Sequence, residues 1–113
     1  MASPSTLTPR ERAAIEGLRA FLEARFGARL RELSLFGSVA RGERREDSDV
    51  DILVVIDDLS SSERREVGWC AGDLLTEHDV LLAPLAMSTA RRRELRDRER
   101  LLGRELDRDG VPL

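Results

Sequence analysis

The sequence contains little cysteine, no lysine and no long apolar run. Cys70 is the single cysteine among 113 residues, which excludes an intrachain disulfide and a cluster of thiolate metal ligands. No apolar run approaches the length that spans a membrane, and the first residues lack the apolar core of a secretion signal. These absences predict a cytoplasmic protein without thiolate or disulfide chemistry.

Charge and length limit the function further. The formal net charge is −3, with 36% charged residues, whereas a protein that coats nucleic acid in general is normally basic. Every basic residue is an arginine, which we attribute to coding bias before any adaptation to phosphate. The length suffices for one small core, so we expect a single domain over residues 1–113 with a flexible tail at residues 1–7.

Local signals predict the helices. Thr8 is a good N-cap, Glu11 completes a capping box with it, and Gly27 is a natural helix end. Ser60 and Glu63 repeat the capping box before a second apolar periodicity. The predicted helices cover residues 9–26, 60–75 and 88–109, the last being a highly charged helix or pair of helices.

Three β-prone runs predict strands at residues 33–36, 49–56 and 78–85. The first strand must end and the second must begin at one site, so these two are expected to be antiparallel neighbours. A full helix joins the second and third strands, which favours a parallel crossover. Pro84 indicates that the third strand lies at an edge or ends there. The predicted fold class is α/β of the α+β type, a small mixed β-sheet flanked by helices.

Residues 35–58, LFGSVARGERREDSDVDILVVIDD, carry the chemistry. Asp49 and Asp51 lie two residues apart where a strand begins, so their carboxylates point to one face, about 6–7 Å apart along the backbone. Their repulsion must be offset, and the simplest offset is a divalent cation that prefers oxygen ligands, Mg²⁺ or Mn²⁺. Gly37 permits close approach of a ligand, and Ser38 can open a helical turn whose N–H groups attract an anion. The motif therefore predicts a site for phosphate and metal together.

This spacing of Gly-Ser, ten residues and Asp-x-Asp resembles the signature of the DNA polymerase β-like nucleotidyltransferase superfamily. The fuller string GSVARGERREDSDVDILVV is similar to its smallest members, the minimal nucleotidyltransferases. The resemblance implies the polymerase β-like nucleotidyltransferase fold, and it implies a metal-dependent transfer of a nucleoside monophosphate, expected to be AMP from ATP, to a hydroxyl group.

The resemblance also implies roles for particular residues. Two ions of Mg²⁺ or Mn²⁺ are expected on three catalytic carboxylates, those of Asp49, Asp51 and Asp79. Asp79 is placed at the start of the third strand, where Glu77 shares its face and competes for the role. The predicted nucleotide-binding residues are Gly37, Ser38, Arg41 and Ser48.

Partners follow from the same resemblance. Many minimal members are encoded beside a helical HEPN protein, and in some pairs the nucleotidyltransferase is an antitoxin that transfers AMP to a tyrosine of its HEPN toxin. The alternative is a catalytically vestigial module that neutralises such a partner by contact. The chain is expected to offer no wall for an acceptor, so a partner or a second copy is expected to complete the site. Trp69 is interpreted as a core or interface residue, and Arg91-Arg92-Arg93 as a solvated helix face in preference to a nucleic-acid patch.

Overall fold

The computed structural model describes residues 7–36, 49–102 and 111–113. Within these residues, three α-helices accompany a four-stranded sheet. The elements in chain order are α1 (Pro9–Phe26), a 3₁₀ turn (Gly27–Arg29), β1 (Leu30–Leu35), β2 (Val50–Ile56), α2 (Ser61–His78), β3 (Leu82–Ser88), α3 (Thr89–Leu102) and β4 (Val111–Pro112).

Both predicted capping boxes are confirmed. The hydroxyl of Thr8 accepts from the backbone N–H of Glu11 at 3.1 Å, and the Glu11 carboxylate accepts from the backbone N–H of Thr8 at 2.8 Å. Ser60 and Glu63 make the same pair of bonds at 3.1 and 3.0 Å. Each box satisfies two N–H groups that the first helical turn leaves without a partner inside the helix.

The sheet has the strand order β3-β2-β1-β4. As predicted, β1 and β2 are antiparallel, and β2 and β3 are parallel neighbours joined through a helix. Strand β3 lies at an edge, as Pro84 indicated, because proline cannot donate a ladder hydrogen bond. Strand β4 pairs with β1 and was not predicted. The expected fold class, a small mixed sheet with helices in the α/β class, is confirmed.

The two faces of β2 pack differently. Val50, Ile52, Val54 and Ile56 are at most 1% exposed and pack in a core with apolar residues of α1 and α2. The opposite face carries a smaller cluster in which α3 contributes Leu95. The buried members of that smaller cluster are Leu53, Val55 and Met87. In the described part of the chain, no helix is both long enough and apolar enough to cross a membrane.

Two sequence predictions about apolar residues need correction. Leu7, assigned to the flexible tail, is only 6% exposed and belongs to the main core, because it lies directly before the cap of α1. Trp69 is 67% exposed, which rules out the core interpretation and leaves the interface interpretation open.

Arg29 links the 3₁₀ turn by hydrogen bonds to α2 and to the residues after β2. Its guanidinium donates to both carboxylate oxygens of Glu63, at 2.8 and 2.9 Å, and to the carbonyl oxygens of Asp57 and Asp58. Bidentate bonds of this kind are stronger than ordinary ones. The bond from Arg29, followed by that from the backbone N–H of Ser60, lowers the pKa of Glu63 from 4.5 to about 2.

Replacing Glu63 should make stability depend less on pH. A carboxyl whose pKa is lowered by folding adds stability above its unfolded value and loses it as the pH falls. We therefore expect Glu63→Gln to lower the free energy of unfolding at pH 7, and the difference from wild type to shrink between pH 4.5 and about 2. Urea unfolding at stepped pH measures this difference. The control is Glu23→Gln, an exposed position of α1; an equal effect there would contradict the assignment.

Candidate functional site

The two carboxylates of the motif stand at the entrance of β2. Asp49 is exposed and directly precedes the strand. Asp51 is half-buried and is the second residue of the strand. Asp51 lies on the face that carries Leu53 and Val55, because strand side chains alternate between faces. That face is opposite to the one covered by α1 and α2. The two are close enough for the charge of Asp49 to act on the Asp51 carboxylate.

The environment of Asp51 disfavours its charged form. Burial raises its pKa above the ordinary value of 3.8, and the negative charge of Asp49 raises it further. Both effects favour the protonated carboxyl, and a bound cation would reverse the second. The pair therefore has the electrostatics of a cation site.

The segment between β1 and β2 begins and ends beside these carboxylates. The backbone N–H of Phe36 donates to the carbonyl oxygen of Asp51 at 3.1 Å, and the chain resumes at Asp49. The four predicted nucleotide-binding residues all fall in this segment, outside the described residues, so their roles stay predictions. They are Gly37, Ser38, Arg41 and Ser48.

Asp79 does not lie on a strand, and this corrects the predicted start of β3. Helix α2 continues to His78, and Asp79 is its C-cap in the left-handed conformation, with φ of 56°. Aspartate tolerates this conformation better than most residues do. Its N–H donates to the carbonyl oxygen of Leu75 at 2.9 Å, which closes the last turn. Strand β3 therefore begins only at Leu82.

The carboxylate of Asp79 pairs with a residue of α1. It is 88% exposed and lies 3.4 Å from the guanidinium of Arg10. Among the described residues, no three acidic, histidine or cysteine side chains are close enough to share a metal ion. The structure therefore does not bring Asp79 to Asp49 and Asp51, and its role in catalysis stays a prediction.

Strand β3 contributes apolar residues beside the pair. The parallel register places Ala83 opposite Asp51. Leu81 and Leu85 lie two residues to either side of Ala83, and they are 48% and 44% exposed. Exposed leucines beside a carboxylate form a surface on which the apolar part of a substrate can lie. This surface was not predicted from the sequence, although the strand register implied by the parallel crossover could have indicated it.

The residues present suit a divalent cation. Two carboxylates at alternate strand positions supply the oxygen ligands that Mg²⁺ and Mn²⁺ prefer. Burial and, after it, the charge of Asp49 raise the pKa of Asp51, and such a cation would relieve the repulsion between the two carboxylates.

A separate cavity of about 700 Å³ lies between α1 and α2. Phe21, Trp69 and Cys70 supply its apolar side. Of the predicted site residues that the structure describes, Asp49, Asp51 and Asp79 do not line it. We therefore do not assign the predicted chemistry to this cavity.

A family model described as a nucleotidyltransferase domain matches residues 15–107, most of the chain. The chain belongs to the nucleotidyltransferase domain family. The matched range contains the carboxylate pair at β2, which agrees with the resemblance seen in the sequence.

Similar proteins have been named protein adenylyltransferases. The chain is 55% identical over 40 residues to the protein adenylyltransferase MntA of Thermococcus cleftensis, covering 35% of this chain and 38% of that protein. It is 33% identical over 58 residues to a Methanocaldococcus jannaschii protein provisionally named protein adenylyltransferase, covering 50% and 59%. A crystal structure described as a toxin-antitoxin with AMP-PNP superposes with a TM-score of 0.46 and 28% identity, over 63% of this chain and 56% of that one. Each match thus spans less than two thirds of the other protein.

This nucleotidyltransferase domain should become more stable when Asp51 is neutralised. A carboxyl whose pKa is raised by folding costs stability above that raised value, and the cost vanishes below the unfolded value. We expect Asp51→Asn to raise the free energy of unfolding at pH 7, with a gain that disappears as the pH falls below 3.8. Chemical denaturation at pH 7 and at a pH below 3.8 checks this. The control is Asp73→Asn, on the exposed side of α2. A lower stability of Asp51→Asn at pH 7 would contradict the electrostatic account.

Proposed function

We propose that this nucleotidyltransferase transfers AMP from ATP to a hydroxyl group of another protein. The oxygen of the acceptor hydroxyl forms a bond to the α-phosphorus, the bond from that phosphorus to pyrophosphate breaks, and the hydroxyl proton is released. The carboxylate pair of Asp49 and Asp51 is the observation that carries the proposal. The names of the similar proteins support the proposal that the transferred group is adenylyl and that the acceptor is a protein.

Asp49 and Asp51 would hold the divalent cations of the reaction. Mg²⁺ or Mn²⁺ bound there would neutralise the negative charge of the triphosphate and of the leaving pyrophosphate. Asp79 is proposed as the third ligand on the strength of the family resemblance, and it would have to turn away from Arg10 to serve. The proposed phosphate-binding residues are Gly37, Ser38, Arg41 and Ser48, of which Gly37 directly follows Phe36 beside Asp51.

The exposed leucines beside Asp51 suit an acceptor with an apolar body. Leu81 and Leu85 flank the position of Ala83 on the face that carries Asp51. A tyrosine can lay its ring on apolar surface and keep its hydroxyl at a polar site, which serine cannot do. The 113 residues contain no tyrosine, so a tyrosine acceptor would belong to another molecule or to a segment outside them. We propose a tyrosine of a HEPN-type toxin as the acceptor and an antitoxin role for this chain.

A second candidate function rests on the position of Asp79. Because the described residues do not gather three carboxylates, the chain could neutralise a helical HEPN partner by contact alone, with a vestigial active site. Its exposed Trp69 would then belong to the contact surface. The two candidates differ in whether the carboxylate pair is needed once the partner is bound.

ATP binding should require a divalent cation and both carboxylates. Asp49 and Asp51 repel each other and also the triphosphate. Calorimetry should therefore detect the binding of ATP in the presence of Mg²⁺, and little heat of binding when a chelator replaces the Mg²⁺. The double variant Asp49→Asn/Asp51→Asn should lose the part of ATP binding that depends on the metal ion. The matched control is Glu23→Gln/Asp73→Asn, which removes two exposed carboxylates from α1 and α2. Binding that is independent of metal and unchanged in the Asp49→Asn/Asp51→Asn variant would refute the site.

Transfer should be visible as a covalent change of the partner. The chain is co-expressed with the protein encoded beside its gene, and both are analysed by intact mass and by peptide mapping. Wild type should add an adenylyl group to a hydroxyl of the neighbour, and Asp49→Ala/Asp51→Ala should add none while still binding it. A neighbour that is unmodified by wild type yet neutralised by wild type and variant alike would favour the contact mechanism.

A further inference from the structure

Helix α2 exposes the single tryptophan of the chain. The side chain of Trp69 is 67% exposed, although its ring is the largest apolar group that the sequence contains. The residues that α2 buries in the core, Val67, Ala71 and Leu74, lie on the opposite side of the helix. Tryptophan is enriched where proteins contact one another, because its contact removes a large apolar area from water. The outer side of α2 therefore has the character of a contact surface.

The cavity of about 700 Å³ between α1 and α2 adjoins this tryptophan. Phe21 of α1 and Cys70 of α2 line it, and Trp69 forms one of its walls. Pockets of roughly 300–1,000 Å³ hold whole drug-sized ligands, so this cavity has room for an aromatic side chain. The surface thus presents an exposed aromatic ring and, beside it, a space that can receive one.

Two charged residues lie at equal distances on either side of Trp69. Arg65 and Asp73 are four residues before and after it, about 6 Å each way along the helix axis, and spacings of four place them on one side of α2. Both are exposed and line the cavity. Among the residues that the structure describes, neither forms an ion pair. The neighbouring Glu66, by contrast, accepts two bonds from Arg25, at 2.8 and 3.1 Å.

This row of residues is complementary to itself in one orientation. When two α2 helices pack antiparallel about a two-fold axis at Trp69, Arg65 of each copy lies opposite Asp73 of the other, and the two tryptophans meet. Parallel packing would instead place arginine against arginine and aspartate against aspartate, and like charges repel. The charges therefore favour a second copy of the chain that is bound with its α2 antiparallel.

We propose that the outer side of α2 binds a second copy of this chain in that antiparallel orientation. The Trp69 ring of each copy packs against the cavity of the other, and two reciprocal pairs of Arg65 and Asp73 flank the rings. Helices α1 and α2 cover the face of the sheet opposite to Asp51, so the interface leaves the carboxylate pair accessible and is independent of the proposed transfer. It assigns Trp69 to a second copy and not to the helical partner of the contact mechanism.

Sedimentation equilibrium of the 113-residue chain over a range of concentrations tests the proposal. We expect the mass to rise from one chain to two. Trp69 is the only tryptophan and the chain has no tyrosine, so intrinsic fluorescence at its emission reports on the interface itself. This emission should move to shorter wavelength as the dimer forms and the ring leaves water. Trp69→Ala should weaken association at least about thirtyfold, as the loss of a central aromatic anchor does.

Exchanging the charges tests the antiparallel orientation. Arg65→Asp places two carboxylates opposite each other, and Asp73→Arg places two guanidinium groups opposite each other. Each variant alone should therefore associate at least about tenfold more weakly than wild type. An equimolar mixture of the two variants should regain the association, because each introduced charge then lies opposite a charge of the other sign. A change in the fold of one variant cannot produce this recovery.

The matched control uses Arg64→Asp and Glu23→Arg, exposed positions of α2 and α1 that do not line the cavity. Alone or mixed, they should change association less than about twofold. Circular dichroism verifies that all variants fold. A chain that stays monomeric at millimolar concentration, association unchanged by Trp69→Ala, or a mixture as weak as its two components would overturn the proposal. So would a fluorescence shift that appears only when the protein encoded beside the gene is added, since that assigns the surface to a different protein.

Discussion

Strand β2 must be hydrogen-bonded on both edges and covered on both faces, and the rest of the fold follows from this constraint. It lies between β1 and β3, and every residue of the strand except Asp51 is buried. Helices α1 and α2 cover one face, while on the other face α3 packs Leu95 against Leu53 and Val55. Among the described residues, α3 contacts this face at Leu53 and Val55, and Asp51 before them is only half-buried.

Local chemistry made most of the fold predictable from the sequence. The capping boxes at Thr8 and Ser60 depend on residues three positions apart, and the strand order of β1 to β3 depends on the connections between neighbours. Elements without a local signal were missed. Strand β4 has two residues and forms only because β1 offers a free edge, and the bond from Arg29 to Glu63 joins residues far apart in the chain. Distant pairings of this kind cannot be deduced from periodicity.

The candidate site was predictable in part for the same reason. Asp49 and Asp51 share a face because strand geometry fixes residues two apart, whatever the remaining fold. The placement of Asp79 depended instead on where a helix ends, which is the least certain boundary in a sequence. The helix continues to His78, and the left-handed cap turns Asp79 toward Arg10. Had the strand begun at Asp79, alternation with Leu81 and Ala83 would have pointed it to the face of Asp51.

The carboxylate pair at the entrance of β2 holds two like charges close together. Among the described residues, the influences that shift the pKa of Asp51 are burial and Asp49, and both act against the carboxylate. A divalent cation on the carboxylate oxygens would place positive charge nearest to this repulsion.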